Sequence, residues 1–291
     1  MNIIFQIDGG LGKSIMGTAM VKVLRKRYKN AHIVVSTAYP DVFLNNPNIN
    51  ECFETQQMVG AYLKYIKDHD CKLFISDPYH HTSFITEKEH LYKTWCKIYG
   101  LTYNDEQPEL YLTQPELDYF KPFYNLEKPI FVLHPNGGPQ VQGFNYSWTR
   151  DIPEPTVKEI IDYYKNDYTV VHIKRQDQIM YPDTLHALDG FRSIAVLLQL
   201  SSKRLFIDSF CQHLAASMGM KSTVCWSTTN PNIFGYKLHD NVKANPFTKP
   251  PLLQNSLYQP FNLAQDISSI PYNDLREVFN TNQIIESINK Q

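Results

Sequence analysis

Gln6-Ile-Asp-Gly-Gly-Leu-Gly-Lys-Ser-Ile-Met-Gly17 is the stretch whose reading decides the fold of this chain. Ahead of it, Ile3, Ile4, Phe5 and Ile7 read as a buried strand. Behind it, a helix is expected to open at Ser14 with Met16, Ala19, Met20, Val23 and Leu24 on one face. Glycines between strand and helix let backbone N–H groups approach a ligand, and a helix N-terminus favours an anion. A phosphate or pyrophosphate at Gly10, Gly12 and Ser14 is the expected occupant. Whose phosphate it is decides the function.

Gly12-Lys13-Ser14 matches the end of a P-loop, G-x-x-x-x-G-K-[ST], but the opening glycine would fall on Ile7. The variant of partitioning ATPases carries a lysine ahead of the double glycine, where this chain has Asp8. The second strand, Ile33-Val34-Val35, ends in Ser36-Thr37 rather than an aspartate. A dinucleotide fingerprint fails at its third glycine, which is Ile15, and lacks an acid after the second strand to hold a ribose.

Outward from the loop, strand and helix alternate. Residues 39–50, held by Pro40 and Pro47, allow only a short helix. Residues 59–67 read as a helix, Leu73-Phe74-Ile75-Ser76 as a strand ending at Asp77, and residues 86–99 as a long helix with Leu91, Trp95 and Ile98 inward. A proline-punctuated stretch, 108–129, is the expected linker. The alternation then restarts, with strands ending in His134-Pro-Asn-Gly-Gly, Lys174-Arg175, Asp208-Ser209 and Ser227-Thr-Thr-Asn-Pro. Helices are expected at 155–165, 191–200 and 212–218. This pattern predicts α/β architecture with parallel sheets covered on both faces, and ligands at the strands' carboxyl ends. The expected domains are 1–126 and 127–271, with 272–291 a terminal helix packing back on the seam between them. Ordinary core packing would explain its apolar stripe (Leu275, Val278, Phe279, Ile284, Ile285, Ile288) equally well.

With 291 residues, 43% hydrophobic and 13% aromatic, the chain has ample material for one large or two ordinary cores. A net charge of −1 gives no general attraction to nucleic acid or anionic lipid. Lys22, Arg25, Lys26, Arg27 and Lys29 crowd one helix end, as a solvated face or a surface for a polyanionic acceptor. Five scattered cysteines (Cys52, Cys71, Cys96, Cys211, Cys225) fit a reducing compartment and argue against structural zinc. No leader and no apolar run of membrane-spanning length is read, so a cytoplasmic location without membrane insertion is expected. Abundant Asn, Lys, Tyr and Ile suggest an AT-rich genome such as a phage's.

The loop 9–28, His32-Ile-Val-Val-Ser and Val42-Phe-Leu-Asn-Asn-Pro resemble the start of the heptosyltransferase-type glycosyltransferases, glycosyltransferase family 9. Phe206-Ile-Asp-Ser-Phe-Cys-Gln-His-Leu-Ala-Ala-Ser-Met-Gly is similar to that family's D-S/T-G-x-x-H-L-A-A-x-x-G signature, with Phe210 in place of its glycine. Tyr146-Ser-Trp-Thr-Arg-Asp-Ile-Pro resembles the family's K-x-W-P segment, with Arg150 as the basic residue. The resemblance implies a GT-B-like fold of two facing Rossmann-like domains. The first would present an acceptor, and the second would hold a nucleotide-diphosphate sugar for transfer with inversion.

On this resemblance the donor contacts are Asp208, Ser209, Gln212, His213 and Arg150, besides Gly10, Gly12 and Ser14 of the loop. His134, Asn136 and Gly137-Gly138 form a further phosphate-facing turn, and Lys174 with Arg175 adds charge. Blander roles compete: Asp208 as a helix cap, His213 packed on the sheet, Arg150 and Lys174 merely solvated. No cofactor is implied. No Asp-x-Asp pair of the kind that grips a metal–diphosphate is read, in keeping with metal-independent transfer. The acceptor implied is a glycan such as lipopolysaccharide core, or a phage-type hydroxymethylated DNA base. Oligomeric state is left open.

The departure from the family is Lys13, which stands where its loop aspartate, the base for the acceptor hydroxyl, belongs. A lysine beside phosphates stays cationic and cannot serve as that base. Lys13 is therefore expected to neutralise the leaving diphosphate or an anionic acceptor, leaving Asp8, Asp77 or His80 as the base. Two other classes stay open: an inactive sugar- or nucleotide-binding module of the same fold, and a P-loop-like ATPase needing Mg²⁺.

Overall fold

A computed structural model describes residues 1–137, 146–251 and 269–291. The chain divides into two compact units, Met1–Thr113 with Ala216–Met218, and Gln114–Ala215 with Gly219–Gln291.

In the first unit, β1 (Asn2–Ile7) leads through the glycine loop into α1 (Leu11–Arg27), followed by β2 (His32–Thr37), β3 (Glu51–Glu54), α2 (Met58–Ala61), β4 (Cys71–Phe74), α3 (Thr82–Ile85) and α4 (Leu91–Ile98). The described strands form a parallel sheet ordered β3-β2-β1-β4, with Ile4 opposite both Val34 and Leu73. The glycine loop therefore leaves the carboxyl end of a central strand, where crossovers open a crevice. Gly17 lets α1 sit directly on β1, since a Cβ there would collide with Ile7 Cδ1. On one face Ile4, Val34, Ala61 and Tyr65 pack together, and Phe5 meets Trp95 with ring centroids 5.5 Å apart.

The second unit holds α5 (Gln114–Phe120), β5 (Ile130–His134), α6 (Glu154–Tyr164), β6 (Thr169–His172), β7 (Leu185–His186), α7 (Phe191–Leu200), β8 (Lys203–Ile207), α8 (Phe210–Ser217), β9 (Thr223–Trp226), α9 (Pro231–Phe234), β10 (Asp240–Lys243) and α10 (Thr281–Asn289). Its described strands are parallel and ordered β10-β9-β8-β5-β6-β7. Phe131, Leu133, Ile160, Leu205, Ile207, Val278, Ile284 and Ile288 belong to one buried cluster.

Several expectations are revised. α1 opens at Leu11, ahead of Ser14, with Gly10 extended at its N-cap. The helix expected at 59–67 is α2 followed by a π turn, Tyr62–Ile66. The helix expected at 86–99 is shortened to α4 at Leu91–Ile98, because Glu87 takes φ +51 and His90 Nδ1 caps α4 by accepting from Tyr92 N; α3 is a separate turn ahead of it. Strands β3, β7 and β10 were not expected. The linker stretch contains α5, and Glu116 on α5 makes a bidentate pair with Arg192 on α7, so residues 114–126 fold with the second unit. The terminal helix α10 packs on α6, β8, β9 and β10 of that same unit.

Candidate functional site

The glycine loop turns its cation inward. Gly9 adopts φ +110, a left-handed value that glycine reaches without strain, and a Cβ there would lie 3.3 Å from Lys13 Cδ. The Lys13 side chain is 5% exposed and its Nζ lies 2.5 Å from Asp77 Oδ2. The same Nζ stands 4.5 Å from the Tyr79 ring centroid and 5.9 Å from that of Trp95. Asp77 Oδ1 accepts from Tyr79 N (2.9 Å), which fixes the turn Pro78–His80 beyond β4. Ser14 is fully buried, with its Oγ 2.8 Å from Thr37 Oγ1.

Gly10 is exposed and Gly12 half-buried, and the first amides of α1 have no acceptor within the helix. Asp8 is exposed and accepts from Gln6 Nε2 at 3.0 and 3.2 Å. His80 is exposed, whereas His81 Nδ1 caps α3 by accepting from Ser83 N. Of the basic cluster on α1, Lys22 pairs with Glu109, Lys26 with the buried Glu106, and Arg25 donates to Asn48 O, Ala31 O and Asn50 Oδ1.

In the second unit the sheet's carboxyl edge gathers several of the expected residues. Asp151 is buried and accepts from Gly137 N (2.9 Å) and Ser147 N (3.0 Å). Burial raises its carboxyl pKa above the usual range, and those N–H bonds oppose the rise. This stitch lays the loop after β5 against the turn carrying Arg150. A Cβ on Gly137 would lie 2.7 Å from Ile207 Cδ1, 3.2 Å from Arg150 Cδ and 3.7 Å from Ser209 Oγ. Gly137, Arg150 and Ser209 therefore share one small volume. Thr228 Oγ1 donates to Thr149 O (2.7 Å), tying the loop after β9 to the same turn. Gly138 lies outside the described residues.

Gln212 Nε2 donates to Asp208 Oδ1 (3.1 Å) and to Phe234 O (3.3 Å). His213 Nδ1 is 2.8 Å from the Tyr236 hydroxyl. His134 is buried edge-on against the Phe210 ring, and burial pushes its pKa down to about 4. Lys174 Nζ donates to the neighbouring Arg175 O, and Arg175 pairs with Asp177. These two cations are thus engaged locally.

Among the described residues, buried polar atoms without a partner collect at this edge: His134 Nδ1, Asn136 Oδ1, Gln212 Oε1, Ser227 Oγ and Thr229 Oγ1. Among the described residues, neither ring nitrogen of His172, the last residue of β6, finds a partner. Buried polar groups are normally paired, so such a set marks a place for a polar ligand. Sequence reading missed Asp151, His172 and Thr229. The polar run after β9 was legible, but nothing in it singles out one residue.

Among the described residues no group of three His, Cys, Asp or Glu is placed to hold a metal. Asp68-His-Asp70 does have Asp-x-Asp spacing, but it precedes β4 at the amino end of the strand, with Asp70 beside the chain's amino terminus. No described helix is long and apolar enough to cross a membrane.

No protein-family model matches the sequence, and no curated protein matches it. Solved structures do. The chain is similar to a family 9 glycosyltransferase from Veillonella parvula (TM-score 0.70, 14% identity, 99% of this chain and 96% of that one). It is similar to the ADP-heptose LPS heptosyltransferase II of E. coli (TM-score 0.66, 13% identity, 100% and 98%). It also matches the iron-containing dodecameric glycosyltransferase TibC of enterotoxigenic E. coli (TM-score 0.66, 14% identity, 99% and 75%). The chain therefore has the GT-B fold of the heptosyltransferase-type glycosyltransferases, built on two parallel α/β units.

Proposed function

We propose that this protein is a glycosyltransferase that moves a sugar from a nucleotide-diphosphate donor to an acceptor hydroxyl, with inversion and without a metal. The observation that carries this reading is the edge of the second unit's sheet. There Arg150, in no ion pair among the described residues, shares one small volume with Gly137 and with Ser209, the residue before α8, beside a row of unpartnered buried polar atoms. A guanidinium fork and a helix N-terminus suit a diphosphate. Asp208, Gln212 and Asn136 offer acceptors and donors for the sugar hydroxyls.

In the reaction, the acceptor oxygen attacks the anomeric carbon from the face opposite the leaving group. The bond from that carbon to the β-phosphate oxygen breaks, and its electron pair leaves with the diphosphate. The acceptor proton passes to a carboxylate of the first unit. Arg150 and the α8 amides stabilise the charge that develops on the diphosphate. The acceptor is a glycan, or a hydroxymethylated DNA base if the chain comes from a phage. Five free thiols fit a reducing, cytoplasmic setting.

A P-loop ATPase fits the first unit poorly, because the side chains that should reach phosphate and Mg²⁺ are committed: Lys13 to Asp77 and Ser14 to Thr37. An inactive binding module is favoured only by the lysine at position 13. Release of nucleoside diphosphate from ADP-, UDP-, GDP- and CDP-sugars tests the proposal. Release from one donor in the presence of EDTA supports it, and release from none with diphosphate still bound leaves the binding module.

A further inference from the structure

We propose that Asp77 is the general base for the acceptor hydroxyl and that Lys13 is the positioning residue that aims it. This rests on the transferase reading above. A base must be fixed as well as basic, since misplacing a reacting group by an ångström loses much of the rate. Of the three candidates only Asp77 is fixed from two directions. Tyr79 N binds Oδ1 at 2.9 Å and Lys13 Nζ binds Oδ2 at 2.5 Å. Each carboxylate oxygen carries two lone pairs, and the Asp77 side chain is 24% exposed, so a lone pair is left for an incoming hydroxyl. Among the described residues, exposed Asp8 is held by its neighbour Gln6 alone, and the exposed His80 ring has no partner.

The surroundings of Lys13 fit this role. A nearly buried ammonium carries a desolvation cost that an apolar residue would avoid. The loop is nevertheless shaped around it: Gly9 at φ +110 makes room for its stem, and the Tyr79 and Trp95 rings flank its head. Lys13 sits on α1 after the glycine loop, and Asp77 sits beyond β4, the strand paired with β1. The lysine thus ties the two loops at the carboxyl end of β1 and β4 into one rigid piece. In transfer, the acceptor O–H proton passes to Asp77 as its oxygen bonds the anomeric carbon and the nucleoside diphosphate departs.

The test is nucleoside diphosphate release from the donor that wild type turns over, with water as acceptor, read beside affinity for the free diphosphate. Asp77→Asn keeps the cap to Tyr79 and should lower kcat at least about 100-fold, with diphosphate affinity unchanged. Because that variant strands a buried cation, the double variant Lys13→Met/Asp77→Asn removes both charges. It should melt close to wild type and stay inactive. Lys13→Met should lower kcat without raising the donor KM, and Lys13→Arg should recover part of it. Activity in the double variant, or a comparable loss in Asp8→Asn or His80→Gln with Asp77→Asn active, overturns the assignment. A wild type that releases diphosphate from no donor overturns the transferase reading itself, and this inference with it.

Discussion

Gly137 and Arg150 approach so closely that a Cβ on the glycine would stand 3.2 Å from Arg150 Cδ. The nearer clash, 2.7 Å, is with the tip of the Ile207 side chain, which can swing aside. Gly137→Ala should therefore cost little stability, within about 1 to 2 kcal/mol. It should displace Arg150 and weaken diphosphate binding about tenfold. A thermal melt read beside a calorimetric titration separates the two effects.

Asp151 holds that geometry through the two N–H groups it accepts. Asp151→Ala would leave Gly137 N and Ser147 N without their acceptor, at a cost of about 2 to 4 kcal/mol for the pair. Asp151→Asn can accept one of the two N–H groups and should fall between. Denaturant midpoints of the three proteins check the order, and diphosphate affinity should follow it.

Histidines buried without charge make stability depend on acid. His134 and His239 are pushed from the ordinary 6.5 down to about 4 by burial. The unfolded chain therefore takes up their protons first as pH falls. Their contribution is complete above about pH 6.5 and is lost progressively toward pH 4, at up to about 3 kcal/mol for each. Urea midpoints at pH 7.5, 6 and 5 should decline in that order. His239→Gln should flatten the decline, since Gln can still bond Ser222 Oγ and Gln212 O.

The sequence carries the fold through the residues with the clearest periodicity. Ile3-Ile4-Phe5, the glycine loop and the apolar strands ending in His134, Asp208 and Ser227 all read directly as strands opening onto a ligand edge. Strands β3 and β10 escaped because they are short and half-exposed: Asp240-Asn-Val-Lys buries only Val242 fully. The break between α3 and α4 depends on Glu87 at φ +51, which no composition signals. In the site, Arg150, Ser209 and Gly137 could be nominated singly from strand ends and the family resemblance, but their convergence depends on the Asp151 stitch. The partner of Lys13 lies 64 positions away, beyond the reach of spacing. Sequence left that lysine facing a phosphate; the fold turns it onto Asp77.

Arg150 is the residue on which donor binding should depend most. Loss of a charged hydrogen-bond donor to a diphosphate costs about 1.5 to 3 kcal/mol, or roughly ten- to a hundredfold in affinity. Arg150→Ala should show this loss, and Arg150→Lys should restore only part of it, since an ammonium lacks the planar fork. Competition by unlabelled diphosphate in a binding assay reads both.

Thermal shifts with ADP, UDP, GDP and CDP, each with Mg²⁺ and with EDTA, beside ATP with Mg²⁺, test the central claim most directly. The account predicts stabilisation by one diphosphate, equal with and without metal and diminished in Arg150→Ala. Stabilisation by ATP with Mg²⁺ alone, or by no diphosphate at all, would contradict it.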